Sequence, residues 1–380
     1  MFKKKSFLIA LVIIFTLFSF ILIFSSQQIY IGRLYDMHNC IKDGQIPCRW
    51  VPALENSYGS PIFNYFPPLP YYFGELIFLL SSSLAFAVKI ILFGSLFGTY
   101  IFMYLLVSTF TKKTKIWILP IIYTFISFLA LFFLKEGLGL AWGLMLFPLI
   151  VLSLEKLIKK KNVNEFLFSS IFLALLILSS DAGLIFISLL FLWFLFRYIK
   201  NKNLVSFAIT LSSIVFAFLL SAFYIFPSLL ERNLLSNVSG SRYLPKSAEE
   251  KPKKNINSAY EILTGDLVIS NFKQGSNWFK FETDTKTHSI IRLSKIYFPV
   301  WKIFVDGKEI QIEYKNNSLG LMTVIIGEGL HVVEGKLFDT PIRSISNTIT
   351  IVSSILAFLL FFSQLKVVSY LLGYYRKRMN

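Results

Sequence analysis

The residues whose types and spacing suit chemistry lie in one stretch between two strongly apolar segments. Arg33 and Asp36 stand three positions apart, and Arg49 follows inside the run GQIPCRWVPALENSYGSPIFNYFPPLPYY at residues 44–72. A guanidinium matches the geometry of a phosphate group, and a carboxylate can accept the proton of an attacking hydroxyl. The two arginines therefore suit a phosphate-binding site, and Asp36 is a carboxylate that could act as a base beside it. The alternatives are a solvated Arg33–Asp36 pair on a helix surface and non-specific contact of both arginines with lipid headgroups.

Prolines and aromatic residues give the same stretch an unusual composition. Six prolines between Pro47 and Pro70 interrupt any regular helix, while the tryptophan and tyrosine side chains suit the headgroup region of a bilayer. The stretch is either a lid that lines a ligand cavity at the mouth of a helix bundle or an aromatic belt that anchors a plug. On the first interpretation, the candidate substrate-binding residues are Arg33, Arg49, Trp50, Asn64, Tyr65, Tyr71 and Glu136.

The cysteines and histidines bear on the redox setting and on metal binding. Cys40 and Cys48 are the only cysteines, and both lie in this stretch. In an oxidising compartment they would form a disulfide, and otherwise they would pack as small reduced hydrophobes. The three histidines, His38, His288 and His331, are too scattered to indicate a zinc site. No cofactor is therefore predicted, and a divalent metal at the phosphate stays open.

The amino-acid composition indicates the class of protein in which these residues lie. Hydrophobic residues make up 55% of the chain and charged residues only 16%, which a soluble protein could not cover with a polar surface. The formal charge of +17 would suggest a nucleic-acid partner in a soluble chain, but the basic residues here form short clusters between apolar runs. We therefore predict an integral membrane protein whose partner is membrane lipid and not nucleic acid.

About eight apolar runs are long enough to be membrane spans. The first follows Lys3, Lys4 and Lys5, and later runs lie near 86–109, 116–134, 138–154, 164–180, 182–198, 204–226 and 345–363. If successive loops lie on alternate sides of the membrane, the cytoplasmic side receives the basic clusters at 111–115, 155–162 and 197–203 and the C-terminal tail. This arrangement requires that YYFGELIFLLSSS is an interfacial or re-entrant helix and does not cross the membrane. The expected protein is multi-pass in the cell membrane, with both termini cytoplasmic and a large outer loop at 27–85. Glu75 is expected to face water, and Glu136 and Asp181 to lie at outer ends of spans.

The composition becomes polar and charged over residues 229–344. Stretches such as WFKFETD, SIIRLSKIYF and HVVEGKLF alternate in polarity as β-strands do, and VDGKE and NNSLG are typical of hairpin turns. We predict a small antiparallel β-sandwich-like domain outside the cytoplasm. The expected domains are thus 1–228, a transmembrane domain; 229–344, the β domain; and 345–380, a last helix with a basic tail.

Three stretches carry a resemblance to a known family. They are IGRLYDMHNCIKDGQIPCRWVPALENSYGSPIFNYFPPLPYYFGE, GLAWGLMLFPLIVLSLEKL and the C-terminal YFPVWKIFVDGKE region with GLMTVIIGEGLHVVEGKLFDTPIRSISN. Together they resemble membrane proteins related to 6-pyruvoyl-tetrahydropterin synthase, which are distant relatives of YfhO-type proteins and of type C (GT-C) glycosyltransferases. The resemblance implies a GT-C-like helix bundle with an active site at the outer face. There a polyprenyl-phosphate-linked sugar would be used to modify an envelope glycan or lipid.

The sequence departs from the pattern of that family at the expected acids. The D-x-x-x-H-x-x-R arrangement that opens the family's outer loop falls on Ser26, Tyr30 and Arg33, so that only the arginine is present and Asp36 is the nearest acid. A later arginine and glutamate fall on Lys135 and Leu140, with Glu136 nearby. A non-catalytic relative that binds lipid-linked glycan or scaffolds envelope assembly is therefore the second function class. A transporter is the third, and it is disfavoured because no inverted repeat is evident.

Overall fold

The computed structural model describes residues 27–111, 117–133, 137–236 and 259–379. The predicted first span, Glu136 and the linker before the strands lie outside the described residues. The described chain forms two compact units, of which the first comprises residues 27–34, Pro67–Ile225 and residues 347–379. The second comprises Tyr35–Phe66 and Phe226–Ser346.

Most predicted apolar runs of the described chain form helices. In chain order, the helices are α1 (Gln27–Lys42), α2 (Leu54–Ser57), α3 (Ile62–Tyr65), α4 (Leu69–Ser81), α5 (Leu84–Phe110), α6 (Ile118–Phe133), α7 (Gly137–Lys160), α8 (Val163–Ser179), α9 (Gly183–Asn201), α10 (Leu204–Leu220), α11 (Ala222–Leu230), α12 (Arg232–Ser236) and, after the strands, α13 (Pro341–Met379).

Within the described ranges, four helices are long and apolar enough to cross a membrane, namely Leu84–Phe110, Gly137–Lys160, Gly183–Lys200 and Pro341–Gln364. A fifth span results if α10 and α11, which meet at an angle of 82°, count as one. Helix α4 has only 13 residues, or about 20 Å, which is shorter than the hydrocarbon core of a bilayer. These apolar helices are consistent with a membrane protein, and the multi-pass topology with eight spans stays a prediction.

The second unit contains two antiparallel sheets. Its strands are β1 (Tyr260–Thr264), β2 (Leu267–Gln274), β3 (Trp278–Thr285), β4 (Ser289–Ile296), β5 (Trp301–Val305), β6 (Lys308–Ile310), β7 (Leu321–Ile326) and β8 (Gly329–Leu337). One sheet has the order β1-β4-β7 and the other the order β2-β3-β8-β5-β6. In the β5–β6 hairpin Val305 pairs with Lys308, so Asp306 and Gly307 form a two-residue turn with φ values of 50° and 80°. Positive φ at both positions is the signature of a type I′ turn, and the hairpin turn predicted at VDGKE is thus confirmed.

The domain boundary differs from the one expected from the sequence. Residues 27–85 were expected to belong with the helices as a single outer loop, whereas Tyr35–Phe66 belongs to the same compact unit as the strands. The reason is visible in the core of that unit, because Trp50 is fully buried among the apolar side chains of the strands. This loop segment is therefore a structural part of the β domain.

Candidate functional site

The side chain of Gln45 holds the segment that follows α1. Its Oε1 accepts hydrogen bonds from the backbone N–H groups of Arg49 and Trp50, at 3.3 and 3.1 Å. Its Nε2 donates to the carbonyl of Trp50 at 3.0 Å and to the hydroxyl of Ser276 at 2.6 Å. Since Gln45 is buried, these bonds satisfy a polar group that would otherwise be costly to bury, and they join the loop segment to the turn between β2 and β3.

The two cysteines lie on either side of Gln45 in the chain. The structure joins Cys40, in the last part of α1, to Cys48 in a disulfide, with 5.5 Å between their Cα atoms. That separation is usual for a disulfide. The cross-link and the hydrogen bonds of Gln45 constrain the same few residues.

The indole of Trp50 belongs to the core of the β domain. Its ring lies 5.7 Å from the ring of Trp301 in an edge-on arrangement and 6.1 Å from that of Phe298, and none of its surface is exposed. Gly59 packs directly on the indole, because a Cβ at that position would lie 2.4 Å from a ring carbon of Trp50. The structure thus gives Trp50 a place in the core instead of the substrate-facing surface that its position in the outer stretch suggested.

Arg49 and Asn64 are also engaged within the second unit. The Arg49 Nη1 donates to Asn64 Oδ1 at 2.8 Å, and its Nε lies 3.4 Å from Oδ1 of Asp339. The Arg49 side chain is 6% exposed, whereas that of Asp339 is 40% exposed. The guanidinium expected to bind a phosphate therefore already binds a carboxylate and an amide of its own chain.

A buried ion pair lies between the segments that lead into and out of the strands. Arg343 places Nε and Nη2 at 2.8 Å from Oε2 of Glu231, and both side chains are almost fully buried. The hydroxyl of Thr340 donates to the other carboxylate oxygen of Glu231, and the hydroxyl of Tyr65 donates to the Glu231 carbonyl at 3.0 Å. Burial raises the pKa of the Tyr65 hydroxyl above its usual range, so this group remains a donor. Tyr65 is thus a partner of a structural ion pair.

The helical unit contains a different set of buried polar residues. Helices α1 and α4 approach closely at Leu34 and Gly74, where a Cβ on Gly74 would lie 3.0 Å from Cδ1 of Leu34. Arg33 and Glu75 flank this crossing, and they are 7% and 4% exposed. Tyr71, one turn earlier on α4, is 3% exposed. The expectation that Glu75 faces water is therefore wrong, because only 4% of its surface is exposed.

Asp36 also lies in a buried environment. It is 8% exposed on α1, so the alternative of a solvated surface pair with Arg33 is wrong on burial alone. Glu136, the last candidate, lies outside the described residues. In the part of the chain that the structure describes, no group of three or more histidine, cysteine and acidic side chains could hold a metal ion.

Four charged residues in these arrangements were not among the site residues expected from the sequence, namely Glu75, Glu231, Asp339 and Arg343. Glu75 carried a signal, because it is the single charged residue in the apolar run of α4 and a charge in such a run is costly. Arg343 and Glu231 stand at the edges of apolar runs, where a charge is ordinary. Their pairing over 112 residues had no local sequence signal.

Comparison with known proteins gives one family. A family model described as the 6-pyruvoyl-tetrahydropterin synthase related domain, a membrane protein, matches residues 63–259. That range covers just over half of the 380 residues and most of the apolar helices. No curated protein matches the chain.

Proposed function

This chain belongs to the 6-pyruvoyl-tetrahydropterin synthase-related family of membrane proteins, and on that premise we propose that it is a GT-C-type glycosyltransferase-like protein. Its proposed substrate is a polyprenyl-phosphate-linked sugar, which it transfers to an envelope glycan or lipid at the outer membrane face. The proposal includes the eight-span topology with both termini in the cytoplasm and the β domain outside.

The observation that carries the proposal is the burial of Arg33 and Glu75 beside the crossing of α1 and α4. An ionisable side chain enclosed by apolar helices is expensive, and in membrane proteins such residues are commonly functional. Here a buried cation, Arg33, is the sequence neighbour of Leu34, and a buried carboxylate, Glu75, is the sequence neighbour of Gly74. Sugar transfer from a phosphate donor needs both kinds of group.

The chemistry assigns a role to each charge. An acceptor hydroxyl attacks the anomeric carbon, the bond from that carbon to the phosphate oxygen breaks, and the polyprenyl phosphate leaves with the bonding electrons. A carboxylate takes the hydroxyl proton, and a guanidinium stabilises the negative charge on the leaving phosphate. Asp36 is the proposed base and Arg33 the proposed phosphate ligand, with Glu75 as the second carboxylate to be tested as base.

The test is transfer of labelled sugar from polyprenyl phosphate to acceptors in a membrane extract by the purified full chain. We expect Arg33→Gln and either Asp36→Asn or Glu75→Gln to lower the rate by roughly 10²–10⁴-fold, which is the usual contribution of a positioned proton acceptor. Glu261→Gln, in the exposed strand β1, is the matched carboxylate control and should leave the rate unchanged. Equal turnover in Asp36→Asn, Glu75→Gln and wild type, with folding intact, would exclude both carboxylates as the base.

A second candidate function is supported by the engagement of Arg49, Asn64 and Tyr65 inside the β domain. These groups stabilise the protein's own loop, as expected of a relative that binds lipid-linked glycan or scaffolds an assembly without turnover. Retention of a polyprenyl-phosphate sugar by wild type, with no transfer to any acceptor, is the result expected for this function. Loss of that retention in Arg33→Gln would place the binding site in the helical unit.

A further inference from the structure

A cavity opens among three helices of the first unit, α7, α9 and α10. Its volume is about 320 Å³, within the range of small-molecule sites. Its lining comes from the end of α7, the end of α9 and the start of α10, together with Asn203, which caps α10. The lining residues are Ile158, Phe194, Arg197, Tyr198, Asn203, Ser206 and Phe207.

The lining combines an aromatic wall with two polar groups. The rings of Tyr198 and Phe207 pack at 4.9 Å, and Phe194 is buried beside them. Ser206 is 9% exposed, and its Oγ is buried without a hydrogen-bond partner among the described residues. A buried hydroxyl without a partner is a cost, which a ligand oxygen in the cavity would remove.

Arg197 supplies the positive charge of the cavity. Its Nη1 binds a carboxylate oxygen of Glu155, and its side chain is 33% exposed. A guanidinium has five N–H donors in a planar fork, so one carboxylate contact leaves donors for a second anion. A phosphate group, which accepts several hydrogen bonds, fits Arg197 and Ser206 together.

The surroundings are strongly basic. Residues 155–165 and 197–206 contain seven lysine and arginine side chains against two carboxylates, and the lysines are exposed. Lys160 pairs with Glu165, at 2.6 Å between Nζ and Oε1. Such an excess of positive charge beside apolar helices attracts the anionic headgroups of a bilayer.

Apolar side chains continue outwards from the cavity. Phe196, next to Arg197, is 68% exposed, and Leu204 and Val205, next to Ser206, are 64% and 61% exposed. Exposed apolar residues adjoining a basic cluster are expected where a helix leaves the hydrocarbon. A ligand in this cavity would therefore meet lipid chains on one side and lysine side chains on the other.

We propose that this cavity binds the phosphate headgroup of an anionic phospholipid, with Arg197 and Ser206 contacting the phosphate and the aromatic wall contacting the glycerol and upper chains. The site is separate from the proposed sugar-transfer residues Arg33, Asp36 and Glu75. Lipid binding at this site involves no chemical reaction.

The test is native mass spectrometry of the purified full chain with dioleoylphosphatidylglycerol, dioleoylphosphatidylcholine and inorganic phosphate as probes. We expect phosphatidylglycerol to bind at least tenfold more tightly than phosphatidylcholine. Ser206→Leu, which fills the cavity, and the double variant Glu155→Gln/Arg197→Gln, which removes the ion pair without leaving a buried charge, should each weaken phosphatidylglycerol roughly tenfold. Ser212→Leu is the control, because Ser212 lies on the exposed side of the same helix α10.

Equal affinity for the two lipids, or unchanged affinity in both variants, would overturn the proposal. Competition by inorganic phosphate at concentrations similar to the lipid would assign the cavity to free phosphate and overturn the lipid assignment. If Ser206→Leu lowers the thermal midpoint markedly, the double variant alone decides.

Discussion

Nε and Nη2 of Arg343 both lie 2.8 Å from Oε2 of Glu231, although the two residues are 112 positions apart. Glu231 directly follows α11, and Arg343 lies in the first turn of α13. The ion pair therefore joins the segment that leads into the β domain to the segment that leads out of it. The ring of Phe298 lies under the guanidinium at 5.4 Å, so the charge is enclosed by the core as well as paired.

Replacing one member of this pair should lower the free energy of unfolding far more than replacing both. Arg343→Met leaves the Glu231 carboxylate buried without its cation, and we expect a loss of about 3–5 kcal/mol in the free energy of unfolding. The double variant Glu231→Gln/Arg343→Met should recover a large part of that loss. Denaturant unfolding followed by tryptophan fluorescence measures both. The control is Lys280→Met, whose pair with Glu334 is half exposed and should change stability by less than about 1 kcal/mol.

Truncating Trp50 should unfold the β domain and not merely alter a surface. We expect Trp50→Ala to cost about 3–5 kcal/mol, because the indole fills the space between Phe298, Trp301 and Gly59. Trp278→Ala is the matched control, since that indole is 38% exposed. Limited proteolysis of the strands should be faster in Trp50→Ala only. Equal proteolysis rates in both variants would place Trp50 outside the core.

The cysteines provide a test of the compartment as well as of the loop. If Cys40 and Cys48 are bonded in the native protein, alkylation after denaturation without reductant should leave both unmodified in mass spectra. The double variant Cys40→Ser/Cys48→Ser should be less stable by about 2–3 kcal/mol, the loop-closure entropy of a cross-link of this length. Alkylation of both thiols before any reductant is added would argue against the bond.

Lys295 should make stability depend on pH. Burial lowers the pKa of its ammonium group to about 8, while in the unfolded chain that group keeps its ordinary pKa near 10.4. Below pH 8 the folded protein carries the full cost of a buried charge, and this cost is relieved as the pH rises from 8 towards 10, because only the unfolded chain still binds the proton.

Lys295→Met should therefore raise the free energy of unfolding by about 3 kcal/mol at pH 7, and the gain should shrink above pH 8. Unfolding midpoints at pH 7, 8.5 and 9.5 measure the difference. The exposed Lys308, on β6, supplies the control Lys308→Met, which should show no such trend. A gain independent of pH would mean that the pKa of Lys295 is the same in the folded protein and in the unfolded chain.

The proposed topology has a direct experimental outcome. A cysteine at Ser318 should react with a membrane-impermeant maleimide in intact cells, because Ser318 lies in an exposed turn of the β domain. One at Lys160, at the end of α7, should react only after permeabilisation. Both variants should be made in a Cys40→Ser/Cys48→Ser background. The reverse pattern of labelling would mean that the protein has the opposite orientation in the membrane.

Local patterns in the sequence determined the secondary structure of this protein well. Alternating polarity predicted strands such as β3 and β8, and continuous apolar runs predicted α5, α7 and α9. Both patterns succeed because the side-chain periods of a strand and the length needed to cross a bilayer are properties of neighbouring residues. The Asp306–Gly307 turn was predictable for the same reason.

What only the tertiary structure decided is which of the polar and aromatic residues are enclosed, and by what. Trp50 and Arg49 belong to a stretch whose composition suits a membrane surface, but Gln45 binds Ser276 across 231 residues and brings that stretch into the β domain. Conversely, Glu75 belongs to a short apolar helix that could expose it, but in the folded chain only 4% of its surface is exposed. Burial of a side chain depends on the surface that the rest of the chain places against it, and contacts over such separations leave no periodic trace in the sequence.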